Sequence, residues 1–395
     1  MYTFAMAEKS KEDFQNILDY LDWRGDLTFE QSSFNDVDAL IFCQLSYLHF
    51  DSLVSSDFDN FSTLLEVSQK FKDSGDFETR KNLGLMINPL TVDLLFRCAS
   101  SRRFCGVKLC GFVDDYDKAR EEQFSALTFL FDEKKEAKCG FSGKAKKAFV
   151  AFRGTDDTLV GWKEDFNLAF MESVPAQEDS ASYLFNAMNS KSLKKYMFYA
   201  GGHSKGGNLA VYSAANLDEK SKERILNVYN FDGPGFSEKD LESGKFISIK
   251  SKIISVFPQM SMIGMLFHHY DDFKVVFSSE KLIMQHDPFS WLVCGADFVL
   301  KDSLESGSEI FFRSFNKWFE KLDKKQRENF VETIFALLDS TKARTSTELS
   351  RKLVRNAGAI LKAAIRLDSS IRDDAIRIIK QFLKITGEQI VLSLK

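Results

Sequence analysis

Tyr199-Ala200-Gly201-Gly202-His203-Ser204-Lys205-Gly206-Gly207-Asn208-Leu209-Ala210 is the stretch from which the rest of the chain is read. Before it, Lys195 to Ala200 is short and largely aromatic and apolar, the pattern of a buried strand. After it, Asn208 to Ala215 has the small and apolar residues of a helix laid against a sheet. Glycines stand two positions either side of Ser204. A strand that becomes a helix over so few residues brings its own backbone into contact, and glycine permits that approach. The stretch therefore predicts a strand, a sharp strained bend and a helix, with the Ser204 hydroxyl at the tip.

Further strands are expected on both sides of this turn. Phe104–Val113, Phe124–Phe131 and Lys147–Arg153 precede it, and Ile225–Phe231, Ser251–Phe257 and Asp272–Phe277 follow. Helical stretches separate several of them, so the expected fold class is α/β: a mostly parallel sheet flanked by helices, parallel through its middle. Residues 11 to about 100 show helical spacing at Asp13–Leu21, Val37–Leu48, Phe61–Phe71 and Pro89–Cys98, with Asn88 as an N-cap and Pro89 in the first turn. Strands are expected to stop at about Trp291. Glu309–Leu322, Gln326–Leu338, Thr347–Leu367 and Ser370–Ile385 then read as amphipathic helices. Residues 1–300 are thus expected as one unit with the helices of about 1–100 packed on it, and 301–395 as a C-terminal helical extension.

Composition narrows the function classes. A formal net charge of −4 gives no electrostatic case for nucleic acid as a partner. The N-terminus lacks a basic segment followed by an apolar one, and no apolar run approaches the roughly 18–20 residues of a spanning helix. The six cysteines match no zinc spacing and are expected as reduced thiols of a cytoplasmic protein. The 39 phenylalanines are expected mainly in the core. Contact of the C-terminal helices with a membrane surface is a secondary reading of their apolar faces.

A serine hydroxyl is a weak nucleophile until a base takes its proton. Gly202-His203-Ser204-Lys205-Gly206 satisfies G-x-S-x-G and so resembles the nucleophile turn of α/β-hydrolases, where the order is serine, acid, histidine. That order leaves His268, His269 and His286 of the five histidines. His286 is the expected base, in Met284-Gln285-His286-Asp287-Pro288-Phe289-Ser290-Trp291 after the last long strand. His268-His269 reads as loop polarity, because adjacent histidines lie poorly for one metal. Asp232 is the expected acid, at the carboxyl end of a strand, where α/β sheets place their ligands. Asp271, Asp272 and Asp287 are its rivals. The oxyanion needs donors: the Lys205 backbone N–H, and Thr155 in Phe152-Arg153-Gly154-Thr155.

Phe152-Arg153-Gly154-Thr155, Trp162, Asp165 and Gly202–Gly206 together resemble the class 3 (fungal-type) lipases. That likeness implies Thr155 as an oxyanion donor steadied by Asp165, with Trp162 and His203 in support. Gly154–Phe166, His203–Ala210 and His286–Trp291 are closer still to an uncharacterised bacterial lipase-fold family, over about Asp19 to Trp291. Class 3 lipases carry their acid at the level of Phe257–Ser261, where this chain has no carboxylate. Asp232 instead matches the acid position of pancreatic-type lipases.

The resemblance implies an α/β-hydrolase that cleaves a carboxylic ester or thioester, acyl lipids among the candidate substrates, without cofactor or metal. Ser204, His286 and Asp232 would form its triad. The alternative is a non-catalytic lipase-fold protein that uses its helical extension as an interaction module, which a missing acid would favour.

Overall fold

The structure, a computed structural model, describes residues 15–83, 87–117, 122–135, 143–155, 174–305, 315–318, 321–323 and 325–327. It is a mixed α/β architecture. In chain order the strands are β1 (Ser62–Thr63), β2 (Lys108–Asp117), β3 (Glu122–Lys135), β4 (Gly143–Phe152), β5 (Met197–His203), β6 (Ile225–Phe231), β7 (Ile253–Pro258), β8 (Phe273–Val276), β9 (Val293–Cys294), β10 (Asp297–Phe298) and β11 (Leu300–Lys301). The main sheet runs β1-β2-β3-β4-β5-β6-β7-β8-β11. Pairing is parallel from β4 to β8 and antiparallel at both flanks.

The expected strands are present, with shifts that have physical causes. β2 starts later than expected because Arg103 to Gly106 form a turn, and it runs on through Asp114 because Arg153 neutralises that carboxylate. Strands do not stop at Trp291: β9 and β10 form a small antiparallel ladder, and β11 pairs with the edge of β8. The expected helices of the C-terminal extension lie almost wholly outside the described residues. Among the described residues no helix is long and apolar enough to cross a membrane.

Helices cover both faces of the sheet. On one lie α1 (Ile17–Arg24), α2 (Asp36–Leu45), α3 (Leu64–Asp73) and α4 (Leu90–Ser100); on the other, α5 (Pro175–Asn189) and α6 (Lys205–Ala215). The period of two along β4 explains this. Phe149 and Ala151 join the first core, whereas Ala148, Val150 and Phe152 join the second. Among the described residues the phenylalanines concentrate in the first layer, where Phe42 stacks on Phe129 with ring centroids 4.5 Å apart. Arg103 and Asp38 pin the N-terminal helices there through a fully buried ion pair of 2.5 Å. Asn88 accepts the Leu90 N–H at 3.0 Å as expected of a cap, with the helix starting one residue after Pro89.

Candidate active site

β5 ends at His203 and α6 begins at Lys205, so Ser204 alone makes the turn. Its backbone sits at φ 58°, ψ −134°, a region that costs a non-glycine residue on the order of 1–3 kcal/mol. The flanking glycines make the crossing possible. A Cβ on Gly202 would lie 2.1 Å from the Gly206 carbonyl carbon, and one on Gly206 would lie 2.1 Å from the Phe152 carbonyl oxygen. The Ser204 N–H donates to Phe231 O at 2.9 Å, which ties the turn to the end of β6.

Asp232 is the next residue after β6 and is also left-handed, with φ 49°. Its carboxylate is fully buried. One oxygen lies 2.6 Å from His286 Nδ1, and the other accepts from Ser261 Oγ at 2.5 Å. Asn208 on α6 donates to the carbonyls of Pro234 and Gly235 at 3.1 and 2.9 Å, so the helix after the serine braces the turn after the acid. Asp271 and Asp272 are exposed, and Asp287 turns to Asn88.

His286 closes a 3-10 turn, Leu282–His286, and a second, Pro288–Ser290, follows it. Side-chain hydrogen bonds hold this segment, among them two to partners distant in the chain. Trp291 Nε1 donates to Gln285 O at 2.7 Å, and Gln285 Oε1 accepts from the Met260 N–H at 2.8 Å. The Asp287 carboxylate accepts from Asn88 Nδ2 at 2.7 Å and from the Phe289 N–H at 3.0 Å, while burial pushes its carboxyl above the usual range. The rings of His203 and His286 lie 4.4 Å apart. His269 departs from the expectation of solvated polarity. Its Nε2 is shielded from solvent, and burial pushes the imidazole down to about 4.

Lys205 carries its backbone N–H at the first position of α6, directly after Ser204. Its side chain, which the sequence left without a role, is fully buried and donates from Nζ to Gln123 O at 2.9 Å. Thr155 follows Gly154, whose Cα packs on the serine turn: a Cβ there would lie 3.1 Å from Ser204 Cβ. Arg153 anchors this loop through both terminal nitrogens on the Asp114 carboxylate. Trp162 and Asp165 lie outside the described residues.

Sequence reasoning missed Tyr47, Ser261 and Gln285, and it gave Asn88 only its capping role, because the partners lie at a distance in the chain. Among the described residues one group of possible metal ligands lies together: His49, Asp51 and Asp114, with ligand atoms within 4.8 Å of one another. Asp114 there already carries the Arg153 guanidinium, whose charge opposes a cation.

A family model described as Mbeg1-like matches residues 98–336. No curated protein and no solved structure matches.

Proposed function

The chain belongs to the Mbeg1-like family, and from that premise we propose that it is a serine hydrolase of the lipase or esterase type on an α/β-hydrolase fold, acting on a carboxylic ester or thioester. The observation that carries the reading is the 2.6 Å contact between Asp232 and His286, at the end of the sheet where Ser204 makes its left-handed turn. Support for the related lipase resemblance comes from Ser261. It closes the stretch where a class 3 lipase would carry its acid, and here it donates to the acid one strand earlier.

The chemistry follows from the proton positions. In this reading the Asp232 carboxylate accepts the Nδ1–H of His286, which leaves Nε2 as the acceptor for the Ser204 proton. Ser204 Oγ attacks the carbonyl carbon as that proton moves to Nε2, and the carbonyl oxygen takes up the negative charge. The backbone N–H groups of Lys205 and Thr155 stabilise it. Collapse expels the alcohol or thiol, which takes the proton from His286. Water deprotonated by the same imidazole then releases the acid and restores Ser204. The non-catalytic alternative drew on a missing acid, and the Asp232–His286 pair weighs against it.

A fluorophosphonate probe tests the reading. It is expected to label the wild-type chain and to leave Ser204→Ala unlabelled. Equal labelling of both proteins, or none of the folded wild type, overturns it.

A further inference from the structure

We propose that His203 is a positioning residue: it grips the main chain of His286 through a hydrogen bond whose direction Tyr47 helps to fix, and so keeps that imidazole in place beside the serine turn. The kinetic consequence rests on the hydrolase reading above; the placement of the imidazole does not.

His203 immediately precedes Ser204 and is buried. Its Nε2 lies 2.8 Å from the carbonyl oxygen of His286, 83 residues away in the chain. A carbonyl oxygen only accepts, so the hydrogen is on Nε2. Burial first, and then the neighbouring His286, holds the imidazole well below its ordinary range, so the neutral form persists. Nδ1 is therefore an acceptor, and the Tyr47 hydroxyl lies 3.2 Å from it and 3.3 Å from the His203 carbonyl oxygen. Partners at both nitrogens select one tautomer and one ring orientation.

The packing leaves little slack for another arrangement. A Cβ on Gly154 would come within 2.3 Å of the Tyr47 hydroxyl and 2.6 Å of the His203 carbonyl oxygen. The loop that carries Thr155, the residue before Ser204 and the backbone of His286 are thereby held together. Asp232 orients the imidazole from its side-chain end, whereas His203 orients it from its main-chain end. Loss of either anchor allows the ring to drift, and displacements of about 1 Å can cost on the order of 100-fold in rate.

Three variants of the full chain test this: His203→Gln, which keeps an N–H donor at the end of the side chain, His203→Leu, which removes it, and Tyr47→Phe. The readouts are kcat and KM for a p-nitrophenyl ester, and the imidazole nitrogen resonances. The chain has only five histidines, so single substitutions assign them. In the wild type, His203 is expected as the Nε2–H tautomer. In His203→Leu, kcat is expected to fall by about 10- to 100-fold with KM little changed, and the His286 resonances to shift. His203→Gln is expected to restore most of both, and Tyr47→Phe to give a smaller loss. If His203→Leu does not fold, the wild-type tautomer and Tyr47→Phe decide the matter.

Unchanged His286 resonances in folded His203→Leu, a His203→Gln as damaged as His203→Leu, or an Nδ1–H tautomer at His203 each overturn the proposal. Should the wild type fail to react with fluorophosphonate, the hydrolase reading falls, and the His286 resonances alone judge this one.

Discussion

The serine turn and the histidine loop are built by different means. Ser204 is placed by backbone: a strand end, a helix start and glycines that let the two touch. His286 is placed by side chains, in short 3-10 turns held by Asn88, His203, Gln285, Asp232 and Trp291. A turn made by backbone contact tolerates almost no change of residue size but needs few distant partners. A loop held by several hydrogen bonds can lose one without unfolding. Substitutions in the first region should therefore act mainly on folding, and those in the second mainly on the geometry of one ring.

The largest expected effect falls where the two regions meet. Asp232 belongs to the sheet by its backbone, through its N–H on Val256 O at 2.9 Å, and to the histidine loop by its carboxylate. Asp232→Asn retains the shape but turns an acceptor toward His286 into an amide that favours the wrong tautomer. Under the hydrolase reading kcat should drop by about 10,000-fold, with the fold intact. A loss of less than tenfold in ester hydrolysis would detach the acid from the mechanism.

Gly206→Val comes next and probes the backbone side alone. The added Cβ would fall 2.1 Å from the Phe152 carbonyl oxygen, a main-chain atom that cannot swing aside. A destabilisation of about 3 kcal/mol or more is expected, read from the urea midpoint, and it should appear whether or not the protein hydrolyses esters. A midpoint equal to the wild type would mean that the turn is not packed as described.

The same contrast explains how much could be read from the sequence. The turn was legible because its determinants are local: an apolar run, two glycines and a helix signal within a dozen residues. The sheet was legible for the same reason, with Ile225–Phe231 a strand over its full expected length. Asp232 and His286 stood out by chemistry and by position after a strand, and the structure brings their side chains into contact. Tyr47 and Ser261 were not legible. A tyrosine two residues after a helix and a serine in a loop carry no local mark, and what identifies them is a partner 156 or 29 residues away. β11 escaped notice because it borrows its ladder from β8 and needs no pattern of its own.

Acid sharpens the comparison in a different way. His203 beside the serine and His269 outside both regions are each held below the ordinary histidine range by burial. Below about pH 6.5 the unfolded chain takes up protons at these positions that the folded chain does not, so stability falls as pH falls. Above that pH neither contributes a slope. Between pH 6.5 and 5 each can contribute up to about 1.4 kcal/mol per pH unit. Urea unfolding at pH 7.5, 6 and 5 should show the decline, and His269→Gln should flatten it. His203→Gln should flatten it too while leaving His286 in place. A slope that is unchanged in His269→Gln would show that its burial is not what acid disrupts.

The smallest effect is expected at Asn88, and it tests whether the histidine loop tolerates the loss of one bond. Asn88 Nδ2 donates to Asp287 at 2.7 Å, and its own oxygen accepts the Leu90 N–H at the start of α4. Asn88→Ala removes both, so the cap alone should cost about 1 kcal/mol. Asn88→Ser keeps a capping oxygen in reach and isolates the bond to Asp287. The Asp287 carboxylate retains the Phe289 N–H when the Asn88 bond is lost. That loss should therefore lower kcat by only a few-fold, well short of His203→Leu, which frees the carbonyl of His286 itself. If Asn88→Ser matches or exceeds His203→Leu in kcat, the loop is a single cooperative brace rather than a set of separable anchors, and the main-chain grip of His203 holds no special place in it.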